Sequence, residues 1–404
     1  MLTLRPYQEI GRDFLAARRH ALLADEMRLG KTGTAIRAAA QVGAEAALVV
    51  CPAIAVPQWK AEWQRWHGPL KRLEVLSYDK AKKEAPRLKL GHWDVMVVDE
   101  AHFVKNPDAQ RTKLVYGKDG LGWHASRLWA LSGTPMPNHP GELWPMLRAF
   151  GAVGMGYREF TYRYCTFNQW TGKIIGTNTY RIPELKAILA KVMLRRTLKE
   201  VAPEVPEVEF DFLNVTPLAA DINIPDHITD EHLPAWMEAH AVGDREDRIA
   251  VAMAKAPLLA EHIGFIVENG LQKSVVCFGW HIEPLTNLAQ RLEARGISVG
   301  LLTGRAAPGQ KTWVQDKFRE GGIQVVCANI LAAGTAIDLS AASYGAFLEL
   351  DWVGANNIQA SKRLVSVIAP RPVGFDVCTW PGSADERVQK AVLRKMVGVK
   401  AMGL

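Results

Sequence analysis

Leu29-Gly30-Lys31-Thr32 stands between an apolar run, Ala21–Ala24, and an apolar helical stretch, Ala35–Ala40. A strand, a loop and a helix joined through Gly-Lys-Thr turn backbone N–H groups and the positive helix end toward one point, which suits phosphate. In that reading Lys31 reaches the β- and γ-phosphates of a nucleotide and the Thr32 hydroxyl ligates Mg2+. Arg28 sits two positions before Gly30, where a second glycine is more comfortable. An ordinary helix N-terminus has the same local look, so the tripeptide alone leaves both readings open. Val95-Met96-Val97-Val98-Asp99-Glu100-Ala101-His102 is an apolar strand ending in adjacent carboxylates. A strand end puts such groups at the carboxyl edge of a sheet, where open α/β folds bind ligands. Asp99 suits holding Mg2+ through water, and Glu100 suits orienting or deprotonating an attacking water. Together the two segments point to a phosphohydrolase. A third, Leu131-Ser132-Gly133-Thr134-Pro135, follows another apolar run. Its small hydroxyl residues suit hydrogen bonds that pass the nucleotide state onward, and a plain turn fits it equally well.

The elements that must position these groups are short apolar runs separated by helical stretches. Ala46–Cys51, Val95–Val98, Leu128–Leu131, Ser274–Phe278, Ile297–Leu302, Gln324–Cys327 and Gly345–Leu350 are apolar on both faces, as strands of a helix-covered parallel sheet are. Leu285–Arg295 and Lys311–Glu320 have helical spacing. The runs fall into two sets, one ending near residue 150 and one starting near 274, which predicts two α/β lobes built alike. Between them Tyr157–Tyr164 and Pro183–Leu198 read as helices and Thr171–Tyr180 as a hairpin or loop. Ala202–Glu209, with Pro203 and Pro206, reads as an extended lobe boundary. Residues 219–247, acidic and broken by prolines, read as a surface excursion, and Ala384–Val397 as an amphipathic helix with Val388, Val392 and Met396 on one face.

The 404 residues are 48% hydrophobic and 23% charged, with mean hydropathy near zero, enough for full-sized cores. The longest apolar candidate, Ala38 to Val56, is broken by Gln41, Gly43, Glu45 and Pro52, which excludes a membrane span there. The first residues lack the apolar segment of a secretory signal, so the expected setting is the cytoplasm, with no membrane partner. Five cysteines without a C-x-x-C pair read as core residues, and most of the 13 tryptophans as core or interlobe packing. A net charge of +7 and a pI near 9.1 suit a polyanionic partner. The densest basic run of the first lobe, Lys80, Lys82, Lys83, Arg87 and Lys89, reads as a solvated face before a nucleic-acid contact.

In order and flanks these segments resemble the SWI/SNF-type, chromatin-remodeller-like ATPases of helicase superfamily two, in a compact prokaryotic or phage-like form. Leu4-Arg5-Pro6-Tyr7-Gln8 resembles the adenine-reading Q motif. Asp25 to Thr32 resembles motif I, so Arg5, Tyr7, Gln8, Met27, Arg28, Leu29, Gly30, Lys31 and Thr32 are implied to bind ATP. Val49-Val50-Cys51-Pro52 with Gln58-Trp59 is similar to motif Ia. Asp99-Glu100-Ala101-His102, continued by Lys105-Asn106, is similar to a DEAH-type motif II. Leu131 to Pro135 with Asn138 and Glu142-Leu143-Trp144 resembles motif III, and Met193-Leu194-Arg195-Arg196-Thr197 the stretch that closes the first lobe. In the second lobe Ala333 to Leu339 stands where the family has motif V, implying Asp338 at the nucleotide, and Gln359-Ala360-Ser361-Lys362-Arg363 resembles the start of motif VI.

The resemblance implies two RecA-like lobes, each a mostly parallel sheet flanked by helices, with a helical insertion between them. Lobe 1 is expected over 1–200, with a helical protrusion at about 153–200. Lobe 2 is expected over 201–404, with an excursion at about 219–260 and a brace helix at about 384–397. It also implies ATP and Mg2+ between the lobes, with Lys31, Asp99, Glu100 and Arg363 catalytic, Thr32 and Asp99 on the metal, and Ser132, Gly133, Thr134, His102 and Gln359 coupling the nucleotide to movement. Double-stranded DNA is the implied partner, with Pro52, Gln58, Thr303, Gly304, Arg305, Gly334 and Thr335 as candidate contacts. A monomer, working with other DNA-processing proteins in a bacterial or phage-infected cell, is the implied state. The expected activity is an ATP-driven duplex translocase; no strand-separation pin is legible. Where the family carries a second motif VI arginine this chain has Ser366, followed by Val367-Ile368-Ala369. That departure keeps an ATP-gated DNA clamp with weak hydrolysis as an alternative, and an RNA-directed helicase as a further one.

Overall fold

A computed structural model describes residues 2–66, 71–217, 245–304, 308–333, 337–390 and 392. They fall into two units that divide between Ala202 and Pro203. The first unit holds strands β1 (His20–Leu23), β2 (Ala46–Cys51), β3 (Arg72–Ser77), β4 (Trp93–Asp99), β5 (Ala125–Leu131), β6 (Cys165–Phe167), β7 (Ile174–Thr177) and β8 (Met193–Leu194). Its main sheet is parallel throughout, in the order β3-β2-β4-β5-β1-β8. Ala47–Cys51, Val95–Val98 and Leu128–Leu131 are buried, because helices cover both faces, and this is why their sequences lack polar alternation. Register does the positioning: Leu131 pairs with Asp99 on one side and with Leu23 on the other. Three strands therefore end flush, and the loops that follow leave from one edge.

The helix expected over Pro183–Leu198 is corrected. It runs over Ile182–Val192, after which Met193–Leu194 extends as β8 beside β1 and a short helix, Leu198–Val201, follows. The β-branched and apolar content of the run fits a helix face, but the open edge of β1 offers backbone partners that a continued helix forfeits. The protrusion at 153–200 is likewise not wholly helical, since β6 and β7 pair as an antiparallel hairpin. The helix expected over Tyr157–Tyr164 is present with those bounds.

The second unit holds β9 (Val208–Asn214), β10 (Val275–Gly279), β11 (Val299–Leu302), β12 (Val325–Asn329), β13 (Tyr344–Phe347) and β14 (Val373–Thr379). They form a parallel sheet ordered β11-β12-β10-β13-β14-β9. Phe278, Phe347 and Phe375 meet on one face, with ring centroids 5.2–5.9 Å apart. The surface excursion expected at 219–260 is corrected for its second half: residues 245–260 belong to the helix Arg245–Glu268, much of which is core, while 218–244 lie outside the described residues. This helix alone, among the described residues, is long and apolar enough to cross a membrane by length and composition. In the unit it carries the fully buried Lys255, whose ammonium donates to Leu348 O (2.6 Å) and Cys378 O (2.8 Å) and pairs with Asp385 at 2.7 Å. Burial disfavours the charge, but Asp385 outweighs it and Lys255 lies above the usual lysine pKa. A helix at 384–390 starts beside it, with Val388 buried; of the brace helix expected to 397, residues 391 and 393–397 lie outside the described residues. All five cysteines are free and buried, whereas Trp123, Trp170 and Trp313 are exposed rather than packed.

Removing one partner of a buried pair leaves the other charge uncompensated, at about 3–5 kcal/mol. Lys255→Met is expected to lower the urea midpoint by that order, and Lys255→Met with Asp385→Asn to recover part of the loss, because Asn keeps an acceptor for the Trp380 N–H.

Candidate active site

In the first unit the loop after β1 turns at Gly30, whose φ is +71°. The conformation favours glycine, and a Cβ there would stand 2.3 Å from Gln8 Nε2 and push that side chain off the loop. Gln8 is buried over the loop, donating to Leu29 O (3.2 Å) and accepting from the Arg5 N–H (2.9 Å). Arg28 has φ +69°, which explains why a glycine suits that position, and Glu100 has φ +49°. Among the described residues these are the only non-glycine left-handed backbones, each costing about 1–2 kcal/mol; both belong to the motifs singled out for chemistry.

The helix Lys31–Gln41 begins at the turn, and the Lys31 ammonium donates to Asp25 O (2.7 Å) and Glu26 O (3.1 Å). Burial lowers its pKa, opposed by Glu100, Asp25 and Asp99, so all three carboxylates act on this ammonium. Asp99, at the end of β4, accepts from Trp59 Nε1 (2.7 Å) and the Glu100 N–H (3.0 Å). Burial and the Glu100 charge raise Asp99, while Trp59 and Lys31 hold it down. Tyr78 donates to Asp99 O at 2.6 Å. His102 Nδ1 lies 3.1 Å from Ser132 Oγ and 3.4 Å from Glu100 Oε2, and Ser132 Oγ accepts from the Thr134 N–H. A Cβ on Gly133 would stand 3.0 Å from Met27 Cγ and 3.5 Å from Lys31 Nζ. Thr32, half-buried, opens the helix beside Lys31. Lysine, paired carboxylates, helix start and hydroxyl thus share one edge of one sheet, the donor set a magnesium-bound triphosphate calls for.

Several contributors lie in motif flanks to which the sequence assigns no role at the site. Arg196 forms a bidentate pair with Asp25 and donates to Tyr7 O, with its guanidinium over the Tyr7 ring at 5.5 Å. Arg195 donates to Ala24 O (3.0 Å) and Gly133 O (3.2 Å). The sequence marks Arg195 and Arg196 only by the likeness of Met193–Thr197 to the stretch that closes the first lobe, and what they bind is set by β8. The motif II and III flanks also join: Lys105 pairs with Glu142 at 2.6 Å, and Asn138 donates to the same carboxylate at 2.8 Å through its backbone and its side chain. In the basic run, Lys80, Arg87 and Lys89 are ion-paired with Glu84, Glu74 and Asp119 at the surface.

In the second unit the Leu339 N–H donates to Arg363 O (3.1 Å), tying the segment after Asp338 to the end of the helix Gly354–Ser361. Asp338 N–H donates to Gln315, Gln359 is buried and Arg363 half-buried. Ser366 Oγ accepts from the Ala369 N–H, holding a turn, and Arg371 donates to Ser340 O. Pro52 is buried at the end of β2, Gln58 exposed on the helix Val56–Arg65, Thr303 buried and Gly304 exposed after β11. Arg305, Gly334 and Thr335 lie outside the described residues.

Residues 7–85 and 71–224, together more than half the chain, match the SNF2-related domain, and 254–367 match the helicase conserved C-terminal domain. The chain is similar to a Caenorhabditis elegans homologue of SWI/SNF-related matrix-associated actin-dependent regulator of chromatin subfamily A-like protein 1, at 26% identity over 97% of this chain and 61% of that protein. It is similar at 26% identity, over 89% of this chain and 37% of the relative, to the mouse DNA annealing helicase and endonuclease ZRANB3. It thus spans less than two thirds of the length of these relatives. A solved Sulfolobus solfataricus SWI2/SNF2 ATPase core in complex with dsDNA is 19% identical, with a TM-score of 0.44 over 99% of this chain and 93% of that one.

Burial, with Lys105 adding to it, pushes the His102 imidazole down to about 4 from an ordinary 6.5. A fold that prefers the neutral ring is stabilised fully above pH 6.5 and loses that stability as pH falls toward 4. Between about pH 7 and pH 4.5 the parent is expected to lose about 2–3 kcal/mol more than His102→Gln, read from urea midpoints at each pH.

Proposed function

We propose that this chain, which belongs to the SNF2-related family and carries a helicase conserved C-terminal domain, is an ATP-driven motor that moves along double-stranded DNA. The observation that carries the reading is the meeting of Lys31, Asp99, Glu100 and Ser132–Gly133 at the edge where β1, β4 and β5 end together. In this reading the N–H groups around Gly30 and the Lys31 ammonium bind the terminal phosphates, leaving the backbone carbonyls of Asp25 and Glu26. Thr32 and Asp99 hold Mg2+, which when bound supplies charge neutralisation on the phosphates. Glu100 takes the proton of the attacking water, and Arg5, Tyr7 and Gln8 flank the base. Ser132, which touches the motif II histidine, links the phosphate state to the loop that continues through Gly133 and Thr134.

The second lobe supplies Arg363 to the phosphate, with Asp338 and Gln359 supporting it, and closure and reopening of the lobes give alternating grip on the DNA backbone. Pro52, Gln58, Thr303, Gly304, Arg305, Gly334 and Thr335 are the proposed phosphate contacts, which read no sequence. The motif II tetrapeptide Asp99-Glu100-Ala101-His102 supports reading the chain as a DEAH-type member. Ser366 favours a second reading: it caps a turn and brings no cation, so an ATP-gated clamp that hydrolyses slowly is the rival.

ATP turnover without nucleic acid, with single strands and with duplex separates the readings. The parent is expected to be stimulated by duplex DNA more than by duplex RNA, Lys31→Ala to fall by about 100-fold or more, and Ser366→Arg to rise by about tenfold. ATP-dependent DNA affinity without stimulated turnover selects the clamp; no response to duplex in either measurement removes the motor. Trp59→Phe, which deletes the hydrogen bond to Asp99, is expected to raise the Mg2+ concentration needed for half-maximal turnover by about tenfold.

A further inference from the structure

The hairpin of β6 and β7 takes no part in the nucleotide chemistry. Its turn is tied by Asn168, whose Oδ1 accepts from the Trp170 and Thr171 N–H groups at 2.9 Å. The Asn168 N–H donates to Lys173 O and the Gly172 N–H to Asn168 O. Gly172, at φ +65°, supplies the left-handed corner. So fixed a turn nevertheless holds Trp170 94% exposed. Tyr180, just past β7, is 93% exposed. Tyr162, 75% exposed, stacks on Phe167 at the hairpin base, with centroids 5.2 Å apart. Single exposed apolar side chains are ordinary; three aromatic rings on one short ordered segment are not, because each leaves a large apolar face in water.

The same segment concentrates positive charge. Residues 157–192 carry Arg158, Arg163, Lys173, Arg181, Lys186 and Lys191 against Glu159 and Glu184, a net +4 within a chain of net +7. Arg163 and Arg181 both engage Glu184, which leaves Glu159 as the acid not held by them. A ligand that offers both phosphates and flat π faces satisfies cations and rings together, and that is a nucleic acid with unpaired bases. Bases inside a duplex are already stacked on each other and give no face to an outside ring.

We propose that this hairpin is a base-stacking site for DNA at a junction between duplex and single strand. Trp170 stacks on the first unpaired base, Tyr180 offers a second platform, and Lys173 and Arg158 contact the flanking phosphates. The assignment rests on the nucleic-acid part of the reading above and is independent of ATP turnover.

The test is equilibrium binding, without nucleotide, of a labelled blunt duplex and of a forked duplex with the same paired length. The parent is expected to bind the fork about tenfold more tightly, the effect of one stacked base. Trp170→Ala, at a position too exposed to matter for folding, is expected to erase that preference while blunt-duplex affinity stays within about twofold, and Trp170→Phe to keep most of it. A 2-aminopurine at the first unpaired position is expected to be quenched by the parent and not by Trp170→Ala. Equal affinity of the parent for both DNAs overturns the proposal, as does an equal loss on both in Trp170→Ala. A Trp170→Ala chain that keeps the fork preference but changes its sedimentation overturns it in favour of a protein-binding surface. Turnover stimulated by blunt duplex reports on the motor separately, so either reading can fail while the other stands.

Discussion

A lysine ammonium and two adjacent carboxylates held at the edge of a buried sheet is the constraint on which the first unit depends. Lys31 is half-buried, and its charge is sustained by Glu100, Asp25 and Asp99. Asp99 in turn is sustained by Lys31 and the Trp59 indole against burial and the Glu100 charge. Such an arrangement is costly when incomplete, because a withdrawn charge that loses its partner is left uncompensated. The surrounding structure reads as the means of keeping these groups together: parallel register aligns the strand ends, Gly30 makes room for Gln8, and Arg196 clamps Asp25 to the N-terminal helix through Tyr7 O.

Two left-handed residues, Arg28 and Glu100, sit at the ends of that arrangement. Strain of this kind persists where neighbours over-determine the backbone, and here the neighbours are the turn at Gly30 and the end of β4. The second unit meets its own burial problem differently. A lysine sunk in its core helix is bonded to two strand-end carbonyls and to Asp385, at the start of the helix at 384–390, so one ammonium ties three elements. Both units are parallel α/β sheets with helical cover, the architecture expected of RecA-like lobes.

Strand positions were legible because a sheet covered on both faces demands unbroken apolar runs, and β2, β4 and β12 fall on or around the runs read from sequence. The chemistry-bearing loops were legible because they follow those runs. What failed was local. Pro183–Leu198 has a helical pattern throughout, yet Met193–Leu194 leaves the helix to pair with β1, an energy that no local window contains. Residues 245–260 join the core helix instead of the excursion, and the partners that let Arg248 and Lys255 be buried there, Leu350 O, Leu348 O and Cys378 O, lie about a hundred residues further on.

By itself the sequence determined which residues carry charged and hydroxyl groups, and that the motif residues follow strands, since these are properties of residue type and short-range periodicity. Tertiary structure alone decided which of them meet. Trp59 on Asp99, Arg196 on Asp25 and Lys105 on Glu142 depend on strand order and register, which arise from long-range packing and leave no local trace in the chain.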